Sequence, residues 1–234
     1  MVPEVYRRSP ENRQAQRVLR QRSFYVSART ALKNRVYAFL AQQREDVRET
    51  IARETNLFSD KGQKVVLGLD MAPGEKRLLE ALLKTYRHLE TRIQESTALV
   101  EKLYEESREA PLVRTIPGFG KFLSVLVTVE IADLTRFADP AHLHAYAGVI
   151  PSTHSSGDRT HHGKIVRAGN RWLRWAAVEA VWPAIRADFD LRCFYERLAR
   201  GKGANKAKVA TARRLLTIIY KVLKEGRNYI AYRR

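Results

Sequence analysis

The sequence predicts a mainly α protein, with a long helical region followed by a compact helical domain. Three observations carry that expectation. Residues 11–54 hold neither glycine nor proline; a later stretch repeats apolar residues at alternating spacings of three and four; and the last hundred residues alternate apolar helical patterns with helix-stop signals.

The first helix is expected over Ser9–Glu54. "SPEN" supplies the capping start, and Leu19, Val26, Leu32, Val36 and Phe39 lie on one stripe opposite an arginine-rich face. Leu57–Lys76 holds three glycines and a proline, which predicts a break with one short ordered turn. Leu79, Leu82, Tyr86, Leu89, Ile93, Val100 and Leu103 then form a seam in which Ser96 takes one apolar place. A coiled coil and packing against the first helix of the same chain both satisfy this seam. The two combine if the pair is a hairpin that dimerises, so a homo-oligomer is expected.

A new domain is expected near Arg108, dividing the chain into a helical region at 1–108 and a second domain at 109–234. Its helices are predicted at 120–131, 140–148, 169–188 with Pro183 as a kink, 191–200 and 206–225, the last closed by Gly226 as its cap. "FLSVLVTVEI" is rich in valine and is also strand-prone.

The chain holds 43 Lys and Arg against 25 Asp and Glu, a formal charge of +18 over 234 residues. An excess of that size points to a polyanionic partner, and nucleic acid is the expected one, because basic surface releases counterions from phosphate backbones. No run of about 18 apolar residues is present, so no membrane partner is expected. A single cysteine, Cys193, rules out an internal disulfide and a zinc cysteine cluster and fits a cytoplasmic protein.

Two segments carry candidate chemistry. "TIPGFGKF" has the form of a helix-hairpin-helix loop: Gly118 and Gly120 permit close approach of the backbone to a phosphate, helix-start amides face its oxygens, and Lys121 adds charge. An ordinary glycine turn between packed helices is the alternative. "PSTHSSGDRTHHGKIVRAGNRWLR" is a long polar stretch between apolar ones. Ser155 and Ser156 precede Gly157; His154, Asp158, His161 and His162 can supply a base or a metal ligand; Arg159, Lys164 and Arg167 can neutralise phosphate charge. The residues alone leave a functional loop and a solvated one open. Asn170, in the turn that follows, is expected at nucleic acid, together with Arg171 and Arg174, which stand three apart on the next helix as phosphate-backbone contacts. Trp172, Trp175 and Trp182 read as core aromatics in preference to base-stacking platforms. Lys202, Lys206, Lys208, Arg213 and Arg214 read as sequence-independent backbone contacts.

In order and spacing, I-P-G-x-G at 116–120, R-F at Arg136 and Phe137, A-G-x-x-P at Ala147–Pro151, S-G at Ser156 and G-N-x-x-L-R at Gly169–Arg174 resemble the transposase domain of the bridge-RNA-guided insertion-sequence transposases. These are DEDD recombinases related to the Piv-type DNA invertases. The resemblance covers about Arg114 to Tyr229. It implies that Ser156 is the nucleophile of a covalent phosphoserine intermediate on DNA. It also implies four acidic residues in a RuvC-like domain that hold magnesium, a composite site formed between subunits, and a noncoding bridge RNA that selects sequence. The chain starts at "MVPEVY", where the last of those acids would lie, and Glu4 and Glu11 do not replace them. This chain is therefore expected to bind no metal itself and to be a transposase whose acidic domain is lost, separately encoded or removed. A non-catalytic nucleic-acid-binding module and a histidine-based metal nuclease are the alternative functions.

Overall fold

The computed structural model describes residues 6–53, 56–156, 159–165 and 169–230, with 151–165 described by backbone alone. The protein is mainly α and divides into two compact units, residues 20–98 and residues 1–19 together with 99–234. Among the described residues no helix is long and apolar enough to cross a membrane.

In the unit at 20–98, two long helices, α1 (Pro10–Ala41) and α4 (Pro73–Glu106), contribute their segments from residue 20 on and up to residue 98. These segments run antiparallel. Arg22 donates to Thr97 Oγ1 at 2.9 Å, Arg29 pairs with Glu90 at 2.8 Å and Gln43 reaches Glu75 at 3.4 Å, so residue numbers rise on one helix as they fall on the other. The seam is therefore occupied within the chain: Leu79, Leu83, Tyr86 and Ile93 are buried, while Leu82 and Leu89 sit half-buried at its margin. Ser96 is tolerated in the buried stripe because its hydroxyl bonds back to the Arg92 and Ile93 carbonyls.

The first helix does not run to Glu54. It ends at Ala41, and a shorter helix, α2 (Glu45–Ala52), follows a turn that no glycine or proline marks. That turn puts Val47 into one cluster with Val36, Leu40, Leu57, Phe58 and Leu79. In the glycine-rich break lies α3 (Asp60–Leu67), started by the Ser59 hydroxyl, which accepts from Gly62 N.

Among the described residues the second unit holds ten elements after α4. They are α5 (Ala110–Arg114), α6 (Lys121–Ile131), a 3-10 turn (Leu134–Arg136), α7 (Pro140–Ala147), strands β1 (Pro151–Ser156) and β2 (Arg159–Ile165), α8 (Arg171–Glu179), α9 (Val181–Ala187), α10 (Phe189–Lys202) and α11 (Ala204–Glu225). Strand-prone α6 is helical because it is buried almost all round, where side-chain packing outweighs intrinsic propensity. Ser124 and Thr128 satisfy their hydroxyls on carbonyls one turn back. Gly226 closes α11 in the left-handed conformation the sequence called for, φ 63°. The predicted 169–188 helix breaks at Ala180, one turn before Pro183, whose missing N–H leaves the carbonyl four residues back without a helical donor. The polar stretch expected as a loop is an antiparallel β hairpin.

Candidate functional site

Helices α6 and α8 of the second unit lie antiparallel: Gly118, just before α6, meets Ala180 at the end of α8, and Glu130, near the end of α6, meets Asn170 at the start of α8. Glu130 is fully buried. One carboxylate oxygen accepts from Asn170 Nδ2 at 2.8 Å, Gln16 Nε2 at 2.9 Å and Arg8 at 3.4 Å, while its backbone carbonyl accepts from Arg8 at 2.7 Å. Arg8 and Asn170 both donate to the Tyr146 hydroxyl, at 2.8 and 3.0 Å. A buried carboxylate is tolerated where a charge and several donors compensate it, and this one has both. Two residues on, Ala132 has φ 65° and ψ −63°, and Asp133 N bonds to Ile131 O at 2.8 Å. This strained γ-turn ends α6 directly after the carboxylate.

Asn170 thereby does three things. Its Oδ1 accepts from Trp172 N and Leu173 N as the cap of α8, its Nδ2 serves Glu130 and Tyr146, and its backbone N–H donates to Tyr146 O at 2.6 Å. It was expected at nucleic acid; the structure commits its whole amide to the protein. Gly169 lies so close to Gly148 that a Cβ on it would stand 2.4 Å from Gly148 N. Gly148 itself ends α7 at φ 68°, and Arg174 donates to the Ala147 and Gly148 carbonyls at 3.4 Å. The A-G and G-N motifs are therefore the two feet of the hairpin, pinned to the ends of α7 and α8.

Along the hairpin, Ser156 pairs with Arg159 at the last rung, Ser155 with Thr160, His154 with His161 and Thr153 with His162, with an irregularity between Pro151 and Thr153. Lys164 lies on β2. Gly157, Asp158 and Arg167 lie outside the described residues. Among the described residues no group of three or more His, Cys, Asp or Glu side chains is placed to hold a metal ion.

The loop before α6 sits at the far end of the α6/α8 pair, about 16 Å from the hairpin feet at 1.5 Å rise per residue over an eleven-residue helix. Gly118, at φ 92°, has its Cα against the Ala180 carbonyl, where a Cβ would stand 2.3 Å from the oxygen, so this glycine serves packing. Gly120 caps α6 and has open space where a Cβ would go. Lys121 pairs with Glu101 at 3.0 Å and lies 5.7 Å from the Tyr104 ring. Phe122 meets Trp175 edge-on at 6.4 Å, which joins the loop to α8, where Arg171 is exposed and lies over Trp172. Arg136 of the R-F pair stacks on Tyr6, Phe137 and Tyr146 at 4.3 to 4.8 Å.

The core reading of the tryptophans needs correction. Trp175 is 39% exposed and Trp182 45%, and only Trp172 is packed against the core, because the broken α8–α9 helix turns Ala176, Ala177, Ala180 and Ala184 inward instead. Glu130, Arg8 and Tyr146 were not singled out from sequence. The available signal was an acid embedded in the apolar run "VLVTVEI".

His144 of α7 is buried and bonds through Nε2 to Thr217 Oγ1 at 3.0 Å. Burial, with the Arg213 charge nearby, pushes its imidazole down to about 4. The unfolded chain, with a histidine near 6.5, then binds more protons in the window between about 4 and 6.5. Stability should therefore be intact above that window and fall as the pH drops through it, by up to about 1.4 kcal/mol per unit. Urea midpoints measured at several pH values should show this slope, and His144→Gln should flatten it. An unchanged slope in the variant would assign the acid sensitivity elsewhere.

With the hairpin, its feet and the α6/α8 pair in place, the comparison with known proteins falls on these elements. Residues 110–196 match the Transposase IS116/IS110/IS902 family. The matched stretch runs from α5 into α10 and includes Glu130, Gly148, the whole hairpin and Asn170. Over these residues the chain is similar to transposases of this family. It is 33% identical over 133 residues to the insertion element IS110 43.6 kDa protein of Streptomyces coelicolor, covering 56% of this chain and 33% of that one. It is 24% identical over 231 residues to the transposase for insertion sequence element IS1111A of Coxiella burnetii, covering 96% and 62%. It is 34% identical over 131 residues to the pilin gene-inverting protein of Moraxella bovis, covering 53% and 40%. The chain thus spans a third to somewhat under two thirds of the length of these relatives.

Proposed function

We propose that this chain acts in DNA transposition by cleaving and exchanging strands through Ser156. The observation that carries the reading is that the transposase-family stretch includes a hairpin held by its motif residues at both feet, with Ser156 and Arg159 on its last rung. The Ser156 hydroxyl oxygen bonds to a backbone phosphorus and its proton passes to a base. The bond from phosphorus to one deoxyribose oxygen breaks, and the freed strand end leaves as a hydroxyl. Attack by a different strand's hydroxyl reverses the step and completes the exchange. Arg159, Lys164 and Arg167 carry the charge that steadies the phosphate, and His154 and His161, two rungs from Ser156, are the candidate bases.

Magnesium, which the family resemblance implies, finds no fitting group among the described residues. The acidic ligands are assigned to a separate domain meeting the serine in a composite site between subunits. The seam of α4 is already occupied within the unit at 20–98, so that self-association uses another surface. Sequence choice is assigned to a noncoding guide RNA, bound through the basic surface of α1. Sequencing of nucleic acid copurified from the native host should recover one structured RNA, and a random mixture would remove the RNA from the proposal.

The decisive experiment is a suicide DNA substrate incubated with this chain and, in trans, the acidic domain of a longer relative. A covalent protein–DNA adduct is expected with the wild type and none with Ser156→Ala. Retention of the adduct by Ser156→Ala sinks the nucleophile assignment. Absence of any adduct while DNA is still bound leaves a non-catalytic binding module.

A further inference from the structure

Helices α8 and α9 carry an outward stripe of Arg171, Trp175 and Trp182, with Glu179 as the acid beside it, all in the second unit. The two indoles are seven residues apart on nearly continuous helix, about 10 Å along its axis. Trp182 has the Tyr195 ring edge-on at 5.4 Å and the Lys208 ammonium 5.6 Å from its centroid, and 45% of the residue's surface remains open. Trp175 is held at 6.0 Å by Trp172 and at 6.4 Å by Phe122, with 39% open. Neighbouring α10 and α11 present a second pairing of the same kind, Arg214 over Phe194 at 4.7 Å.

A tryptophan is the largest apolar side chain, and leaving two uncovered on one stripe forgoes burial that either could obtain in the core. Their rings are instead fixed by neighbouring aromatics, with the Lys208 ammonium beside Trp182 and Arg171 over Trp172, the ring that flanks Trp175. Flat π surface beside positive charge matches a ligand made of planar bases on an anionic backbone. In a duplex the base faces are already stacked and only edges are presented in the grooves, so the fit is to unpaired nucleotides. We propose that Trp175 and Trp182 form a stacking platform for a single-stranded nucleic-acid segment, with Arg171 and Lys208 holding its phosphates. The proposal rests on the reading that the chain works on nucleic acid, where strand exchange generates unpaired ends, and it adds a site separate from the serine hairpin.

The test compares binding of an oligothymidine of about twelve nucleotides, the same backbone without bases, and a blunt duplex. The wild type should prefer the oligothymidine to its abasic counterpart. Trp182→Ala and Trp175→Ala should each weaken oligothymidine binding about five- to tenfold while leaving the abasic strand and the duplex unchanged, and Trp182→Tyr should restore most of the loss. Tryptophan fluorescence of the unaltered protein should be quenched by oligothymidine and not by the abasic strand. Equal binding of the abasic strand and oligothymidine by the wild type overturns the platform while the duplex still binds; no binding to any of the three overturns the underlying reading as well. If the alanine variants keep base preference and instead change the sedimenting mass, the stripe is a contact between copies and the platform is overturned.

Discussion

Glu130→Ala should be the most destabilising single replacement outside the apolar core. It would leave the Arg8 guanidinium, the Gln16 amide and the Asn170 amide without their shared acceptor at a position with no solvent access. Removing one partner of a buried charge pair costs about 3–5 kcal/mol, a large part of the 5–15 kcal/mol that holds a typical domain together. Glu130→Gln keeps the shape and one acceptor oxygen while losing the charge, and should cost about 1–3 kcal/mol. Urea unfolding should rank wild type above the glutamine variant and that above the alanine variant. Combining Arg8→Ala with Glu130→Ala should cost less than the two singles added, since each removes the same interaction. Strict additivity would mean that the two residues do not act together.

The second large effect is expected at Gly169→Ala. The added Cβ would meet Gly148 N at 2.4 Å, its Cα at 2.5 Å and Ala147 C at 2.8 Å. These are backbone atoms and cannot swing aside as a side-chain end would, so the two feet of the hairpin must part. A stability loss of about 2–4 kcal/mol is expected from forced overpacking of this kind. The adduct yield in the suicide-substrate assay should fall further than stability explains, since displacing a reacting group by about 1 Å can cost a factor of about 100 in rate. Gly120→Ala is the control. Its Cβ would point into open space and should change stability by no more than about 1 kcal/mol. Equal losses at the two glycines would contradict the assigned roles.

What the sequence made legible follows from how local each signal is. The α4 seam was visible because its spacing is a property of one helix, but its partner was not, since a coiled coil and an in-chain pair bury the same stripe. The serine hairpin reads in the sequence as a loop and not as two strands because "THSSGDRTHHGKI" has no alternation of apolar and polar residues. Its strands are fixed by their feet instead of by a buried face. Helix α3 was hidden by its glycines, though Ser59 offered a cap. In the G-N motif, Asn170 looked like a residue for a ligand because a polar residue in a motif carries no mark of where its amide points. Only the fold puts Glu130 within 2.8 Å of it. The tryptophans were misplaced for the opposite reason: a large apolar side chain is usually interior, and the four alanines that take the interior of α8 and α9 are weaker signals.

The bonds from Arg8 to Glu130 have a consequence for the order in which the protein can be made. The unit at 20–98 is one unbroken stretch and can fold as soon as it leaves the ribosome. The other unit is discontinuous: its opening segment is synthesised first and must wait for a carboxylate 122 residues downstream. At translation speeds of about 5–20 residues per second that wait is about 6–25 s. During it, Arg8 and Gln16 remain hydrated and Leu19 lacks its later neighbours in the cluster it finally joins. Closure of the second unit is thus a late, long-range event in the life of a nascent chain, since the buried network around Glu130 is complete only once Arg8, Gln16 and Asn170 have all reached it.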